Sequence, residues 1–253
     1  MLRAAIVAVA AVFMVGANAA FATRQVPVST GQASGPIMPA TYAFAIWGVI
    51  FALVIGFGVY ALLPGNPGRD LVRATGYPAA LSFITAGVWP ILVAFRQLDL
   101  AQVVIVLMWA ALAATYLRVI PVEGMTGAER WLGGLTFGLF FGWVTAANAV
   151  SIQSRIAAWG AGSAAVDAVG VVAILAAGLI AGWFVRRGQA GPEQLWLSYA
   201  AAVGWAIVAI VARQAGSSAL GVAAALIAAI PAVLAVVAGL RQHSPVMPAG
   251  RSA

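Results

Sequence analysis

The chain has 253 residues, of which 64% are hydrophobic and 8% are charged, and its formal net charge is +7. An average soluble domain has about 25% charged residues, so a soluble globular protein, a disordered chain and a collagen-like chain are excluded. With no cysteine and one histidine, His243, a disulfide, a thiol nucleophile and a Cys/His metal centre are excluded as well. The composition predicts a chain that lies mostly in hydrocarbon.

Apolar runs of about 20 residues, each able to cross ~30 Å of hydrocarbon as a helix, follow one another along the chain. The predicted spans are 4–22, 42–63, 75–95, 100–120, 132–153, 164–185, 195–212 and 217–240. Turn-forming or charged segments separate them, as at 64–70, although only residues 213–218 part the last two. The predicted fold class is an all-α polytopic membrane bundle of about eight transmembrane helices.

The first span also has the pattern of a secretory signal peptide. Arg3 precedes an apolar stretch, and Ala20-Phe21-Ala22 fits an A-x-A cleavage site. Composition leaves cleavage and retention open. The resemblance described below favours a retained helix.

All the basic residues are arginines that are dispersed between the spans, whereas nucleic-acid binding needs a basic patch, so no nucleic-acid partner is expected. If the amino terminus is cytoplasmic, its side carries Arg3, Arg69, Arg73, Arg118, Arg130, Arg186, Arg187, Arg241 and Arg251. The opposite side then carries Arg24, Arg96, Arg155 and Arg213. This bias predicts that both termini are cytoplasmic.

The acidic residues offer no catalytic constellation. Most lie in predicted loops near an arginine, which indicates solvated or interfacial pairs: Asp70, Asp99, Glu123, Glu129 and Glu193. Asp167 enters the sixth span, either as an intramembrane carboxylate for a cation or proton or, more simply, as an acid in the first helical turn. Without paired carboxylates, a phosphate-binding glycine loop or a nucleophile motif, we expect no enzyme, metal site or cofactor.

Four tryptophans lie well inside spans two to five: Trp47, Trp89, Trp109 and Trp143. An indole N–H in hydrocarbon needs an acceptor, so such a residue faces a neighbouring helix, a polar cavity or a ligand. Core packing explains any one of them, but four on consecutive helices are also suited to line one pocket. Trp131 and Trp196, near predicted span ends, are typical of the interfacial aromatic belt.

The fifth span carries glycines four residues apart, Gly134, Gly138 and Gly142, directly before Trp143. Such a stripe lets another helix approach closely, either within the chain, which is the simpler interpretation, or across a homodimer. Asn148, one turn beyond Trp143, needs a backbone carbonyl or a ligand as its partner.

Three segments resemble the tryptophan-rich sensory protein family, also called the TspO/MBR or translocator protein family. Residues 39–51 are similar to its proline, phenylalanine and V-W-x-x-L-Y signature, although Phe51 replaces the tyrosine. Trp89-Pro90 resembles the family's tryptophan followed by proline. Residues 141–148 resemble its fifth-helix pattern of a tryptophan, an alanine four residues later and a nearby asparagine.

The resemblance implies a TspO-like five-helix transmembrane unit at 1–155, with a pocket that the first loop, 22–41, closes from one side. Residues 156–253 then resemble the three-helix extension, with a short cytoplasmic tail, of a longer bacterial branch. The implied location is the bacterial inner membrane. The implied partners are the lipid bilayer, a tetrapyrrole-like or other apolar small molecule, and a second copy in a homodimer.

By this resemblance the chain is a ligand-binding or sensory membrane protein for tetrapyrrole-like or other apolar aromatic molecules, with a link to their transport left open. The implied pocket lining is Phe44, Trp47, Phe51, Trp89, Phe140, Trp143, Ala147 and Asn148, with Asn148 as the polar anchor. A secondary transporter of a small amphipathic substrate is the alternative, since Pro90 and Pro231 are suited to break helices, although the two halves show no repeat. A porphyrin-degrading activity, attributed to the family, would have to use the bound pigment, light and oxygen.

Overall fold

The computed structural model describes residues 1–21 and 35–243, and every long regular element in these ranges is a helix. The helices are α1 (Leu2–Phe21), α2 (Ile46–Leu62), α3 (Asp70–Ala94), α4 (Leu98–Val119), α5 (Gly127–Ala158), α6 (Ser163–Gly188), α7 (Glu193–Gln214) and α8 (Ala219–His243). All eight are long and apolar enough to cross a bilayer, with α2 extended by a 3-10 turn at Thr41–Ala45. The predicted all-α bundle of about eight spans is confirmed.

The first helix packs along α3. Its buried face includes Val7 and Met14, and the Asn18 amide donates to the Ala86 carbonyl of α3 at 3.1 Å. Retention of this helix stays a prediction, and Ala22 of the A-x-A pattern lies outside the described residues, as do most of the first loop and the expected cytoplasmic tail.

Helix α5 lies at the centre of the bundle and contacts α2, α4, α6 and α7. In its most apolar window 67% of residues are buried, compared with 28% in α1. A capping box begins the helix: the Glu129 amide donates to Thr126 Oγ1 at 3.2 Å, and the Thr126 amide donates to Glu129 Oε2 at 2.8 Å. A π-helical turn follows at Arg130–Leu135.

Glu129 is 1% exposed and pairs with Arg69 from the connection between α2 and α3, with Arg69 Nε donating to its Oε1 at 2.8 Å. The expected pairing with an arginine is present, but the carboxylate is buried in a helix end and is not a solvated loop residue. Burial is possible because the guanidinium and the capping box together satisfy both carboxylate oxygens.

The glycine stripe of α5 faces α7 of the same chain. A Cβ atom added at Gly138 would lie 2.1 Å from the Leu195 carbonyl oxygen, and one at Gly142 would lie 2.3 Å from that of Tyr199. The close approach that the stripe predicts is thus made within the chain. A homodimer, which stays a prediction, would need another face.

Two tryptophans near span ends and two prolines inside spans were expected to have particular roles. Trp131 is 60% exposed, as expected at a span end, but Trp196 is fully buried, so the belt interpretation is wrong for Trp196. It lies in the first turn of α7, which is covered by α5 and the π-helical turn. Pro90 and Pro231 lie inside α3 and α8, and both helices continue through them.

Thr145 joins three helices in the core, and we expect Thr145→Val to destabilise the protein by about 1–2 kcal/mol. Its Oγ1 accepts from Trp109 Nε1 of α4 and from the Tyr199 hydroxyl of α7, each at 3.1 Å, so valine leaves two buried donors unpaired. Thermal unfolding in detergent measures the loss. Thr145→Ser, which keeps the hydroxyl, should stay close to wild type, and equal losses in both variants would contradict the role of the hydroxyl.

Candidate functional site

A cavity of about 210 Å³ lies between α2, α3, α4, α5 and α7. Its apolar lining residues are Pro39, Phe44, Trp47, Trp89, Val93, Leu98, Ala101, Ile105, Met108, Trp143, Val144, Ala146, Ala147, Val150, Ala158, Ala206 and Ile210. Its polar lining residues are Arg96, Gln102, Ser151, Ser154 and Arg155. Mostly apolar walls with a few polar groups are the usual character of a small-molecule pocket.

Aromatic rings form one wall of this cavity. The Trp143 ring meets those of Phe44 and Trp47 edge-to-face, with centroids 5.7 and 6.5 Å apart. Trp143 is 3% exposed, and its Nε1 has no hydrogen-bond acceptor within the described parts of the chain. Edge-to-face and offset-stacked contacts are those that flat aromatic ligands make, so the wall is suited to such a ligand.

Five of the eight residues expected in the pocket line this cavity: Phe44, Trp47, Trp89, Trp143 and Ala147. The other three lie outside the lining. The Phe51 ring stacks on Trp47 at 5.5 Å and the Phe140 ring meets Trp47 edge-to-face at 5.8 Å, so both support the wall from behind it. The Asn148 amide donates to the backbone carbonyls of Val144, at 3.0 Å, and Ile105, at 3.4 Å.

The four mid-span tryptophans therefore fall into two groups. Trp47, Trp89 and Trp143 share the cavity, whereas the Trp109 indole is directed to Thr145 in the core. Asn148 has backbone partners, which was one of its two expected alternatives, and the roles of all eight residues in binding stay predictions.

The end of the cavity beside the turn between α3 and α4 is cationic. Arg155, near the end of α5, donates through Nη2 to Asp99 Oδ1 at 2.6 Å. Its Nε is buried and has no acceptor among the described residues. Arg96 lines the same cavity from the end of α3, and the Ser151 hydroxyl donates to Gln102 Oε1. The cavity therefore joins an aromatic wall to a positively charged end.

Helix α7 holds the segment that precedes α2 against the cavity. Gln214 Nε2 donates to the carbonyl oxygens of Gly35 and Met38, at 3.2 and 3.1 Å. Trp205 Nε1 donates to the Ala43 carbonyl at 2.9 Å. This segment contributes Pro39 to the lining, while residues 22–34 of the loop expected to close the pocket lie outside the described residues.

Sequence reasoning missed the polar lining and the wall from α7. On α5 the missed residues are Ser151 and Arg155. They continue a series of every fourth residue that begins with Trp143 and Ala147. Residues four apart share one face of a helix, so continuing the series past Ala147 is the signal that finds them.

Within the described ranges no three His, Cys, Asp or Glu side chains are grouped to hold a metal ion. The described residues that line the cavity include no carboxylate and no histidine, so their polar groups are two guanidinium groups, two hydroxyls and one amide. Such groups bind and orient a ligand by hydrogen bonds and charge.

Comparison with known proteins is consistent with this architecture. A family model described as TSPO-like protein matches residues 2–238. No curated protein and no solved structure shows a significant match to the chain. The match extends over all eight helices, including the three beyond residue 155, and confirms the resemblance drawn from the sequence. The chain is an integral membrane protein that belongs to the TSPO-like protein family.

Proposed function

We propose that this protein is a membrane receptor or sensor that binds a flat aromatic small molecule in the cavity between α2, α3, α4, α5 and α7. The observation that carries the proposal is that Trp47, Trp89 and Trp143, from three different helices, line one mostly apolar cavity. Indole faces and edges provide stacking contacts for a flat aromatic ligand.

The volume of the cavity limits the ligand. A dry cavity of about 150 Å³ holds benzene, so about 210 Å³ gives room for one or two aromatic rings. A whole tetrapyrrole is larger than this space and would enter by one edge of its macrocycle. We therefore propose a one- or two-ring aromatic group as the part of the ligand that enters.

We propose that both termini are cytoplasmic, because of the arginine bias, which puts Arg96 and Arg155 on the opposite side of the membrane.

The division of the chain at residue 155 into a five-helix unit and a three-helix extension stays a prediction. Ala206 and Ile210 line the cavity, which argues that α7, one of the last three helices, takes part in the site. Transport remains the alternative, and saturable uptake of a labelled ligand into proteoliposomes would support it.

Calorimetric titration with 2-naphthamide, an uncharged two-ring probe, tests the proposal with the protein in phosphatidylcholine nanodiscs. For so small a ligand we expect a dissociation constant between tens of micromolar and about 1 mM. Trp143→Ala should weaken binding about tenfold through lost ring contacts. Trp131→Ala, at an exposed tryptophan outside the lining, is the matched control.

Two outcomes would contradict the proposal. The first is a heat of titration no greater than that of empty nanodiscs, which would mean that the probe only partitions into lipid. The second is an equal loss of affinity in Trp131→Ala and Trp143→Ala, which would assign the effect to the surface of the bundle.

A further inference from the structure

The cavity has a cationic end next to its aromatic wall, and we propose that this end binds an acidic group of the ligand, which makes the ligand an aromatic acid. The acidic group is held by Arg96 and Arg155, whose side chains line the cavity from α3 and α5. This inference rests on the proposed function, because it assigns chemistry to the ligand of the same cavity.

Arg96 has a left-handed backbone conformation, which is unfavourable for any residue with a side chain. Its φ is 57°, the only positive φ of a non-glycine residue in the described ranges. The Arg96 amide donates to the Val93 carbonyl at 3.0 Å and the Gln97 amide to the Leu92 carbonyl at 2.9 Å, which closes the end of α3 in the way that glycine usually does. An arginine at a position where glycine is preferred supports the hypothesis that its side chain has a function.

Arg155 has unused hydrogen-bonding capacity on the same cavity. Its side chain is 14% exposed, and its ion pair with Asp99 uses Nη2, whereas the buried Nε has no acceptor among described atoms. Asp99 is 70% exposed and is thus a solvated partner. A ligand carboxylate with two oxygens matches the forked donors of a guanidinium.

The charges around this end favour an anion. Two arginines line it and one carboxylate, Asp99, contacts it through Arg155, so the described residues leave one positive charge in excess. Arg96 is exposed, whereas the Arg155 side chain is 14% exposed, and this burial reduces screening by salt at Arg155. The apolar wall beside it selects an acid that carries an aromatic ring over a free inorganic anion.

A matched pair of probes tests this inference. 2-Naphthoate and 2-naphthamide have the same ring and nearly the same shape, but only the carboxylate is charged at neutral pH. In nanodiscs of phosphatidylcholine, which has no net charge, we expect naphthoate to bind at least about fivefold more tightly than the amide, with a preference that decreases as salt is added. Acetate should compete only weakly, because it supplies a carboxylate but no ring.

Arg96→Gly is the most informative variant, because it should lower the preference for naphthoate without lowering stability. Glycine relieves the strained backbone, so the melting temperature should stay equal or rise, while the preference for naphthoate should fall to less than about twofold. Arg96→Lys should retain most of the preference. Arg213→Ala removes an arginine from the same end of the bundle outside the cavity lining and should leave the preference unchanged.

The outcomes separate the two proposals. If 2-naphthamide does not bind above the empty-nanodisc blank, the proposed function fails. If the amide binds as tightly as naphthoate, or if Arg96→Gly keeps the preference, the aromatic-acid inference is overturned while the proposed function stands.

Discussion

Ala147→Trp is expected to lower the affinity for 2-naphthamide at least about 100-fold, which corresponds to roughly 2.7 kcal/mol. Ala147 is half-buried, lines the cavity and lies one helical turn from Trp143. An indole at this position would occupy a large share of the about 210 Å³ available to the ligand. In calorimetric titration of nanodiscs such a loss leaves no heat above the empty-nanodisc blank, and thermal unfolding checks that the bundle remains folded.

Ala110→Trp is the matched control for this obstruction. Ala110 lies on the exposed face of α4, outside the cavity lining, so the same added side chain should leave the affinity unchanged. Ala206→Phe fills the cavity from α7 and should repeat the loss from a second helix. Wild-type affinity in a folded Ala147→Trp protein would show that the ligand binds elsewhere.

The eight spans could be predicted because the length of an apolar run is a local property. The largest differences in their bounds are five residues, at the start of α3 and at both ends of α5, and a distant partner accounts for one of them. Helix α5 begins at Gly127 rather than at the predicted residue 132, because Thr126 and Glu129 cap it and Arg69, 60 residues earlier in the chain, neutralises the carboxylate. Glu129, which is predicted to lie in a loop, is therefore part of a buried helix end.

The aromatic wall could be predicted from family-like motifs at Trp47 and Trp143, whereas the charged end could not. Arg96 and Arg155 read as separators between spans, and only the packing of α3 against α4 and of α4 against α5 brings both to one cavity. The cavity-lining residues of α7 are even harder to predict from the sequence. Ala206 has nothing in its sequence context to distinguish it from the other alanines of the extension.

The double substitution of Gly138 and Gly142 by alanine should destabilise the protein by about 2–6 kcal/mol, at roughly 1–3 kcal/mol for each overpacked site. At both positions the new methyl group would meet a backbone carbonyl, of Leu195 or Tyr199, which cannot rotate away as a flexible side chain would. Helix α7 must therefore move outward. Thermal unfolding in detergent measures this loss.

Gly204→Ala, on α7 itself, is the control with the opposite sign. A Cβ added there meets nothing within 4 Å, so helix propensity alone acts and raises stability by up to about 1 kcal/mol. Because outward movement of α7 also displaces Ala206, the double variant at Gly138 and Gly142 should lose 2-naphthamide affinity as well, whereas Gly204→Ala should keep it. A double variant that unfolds like wild type but changes its oligomeric state would instead make the stripe a contact between two copies of the chain.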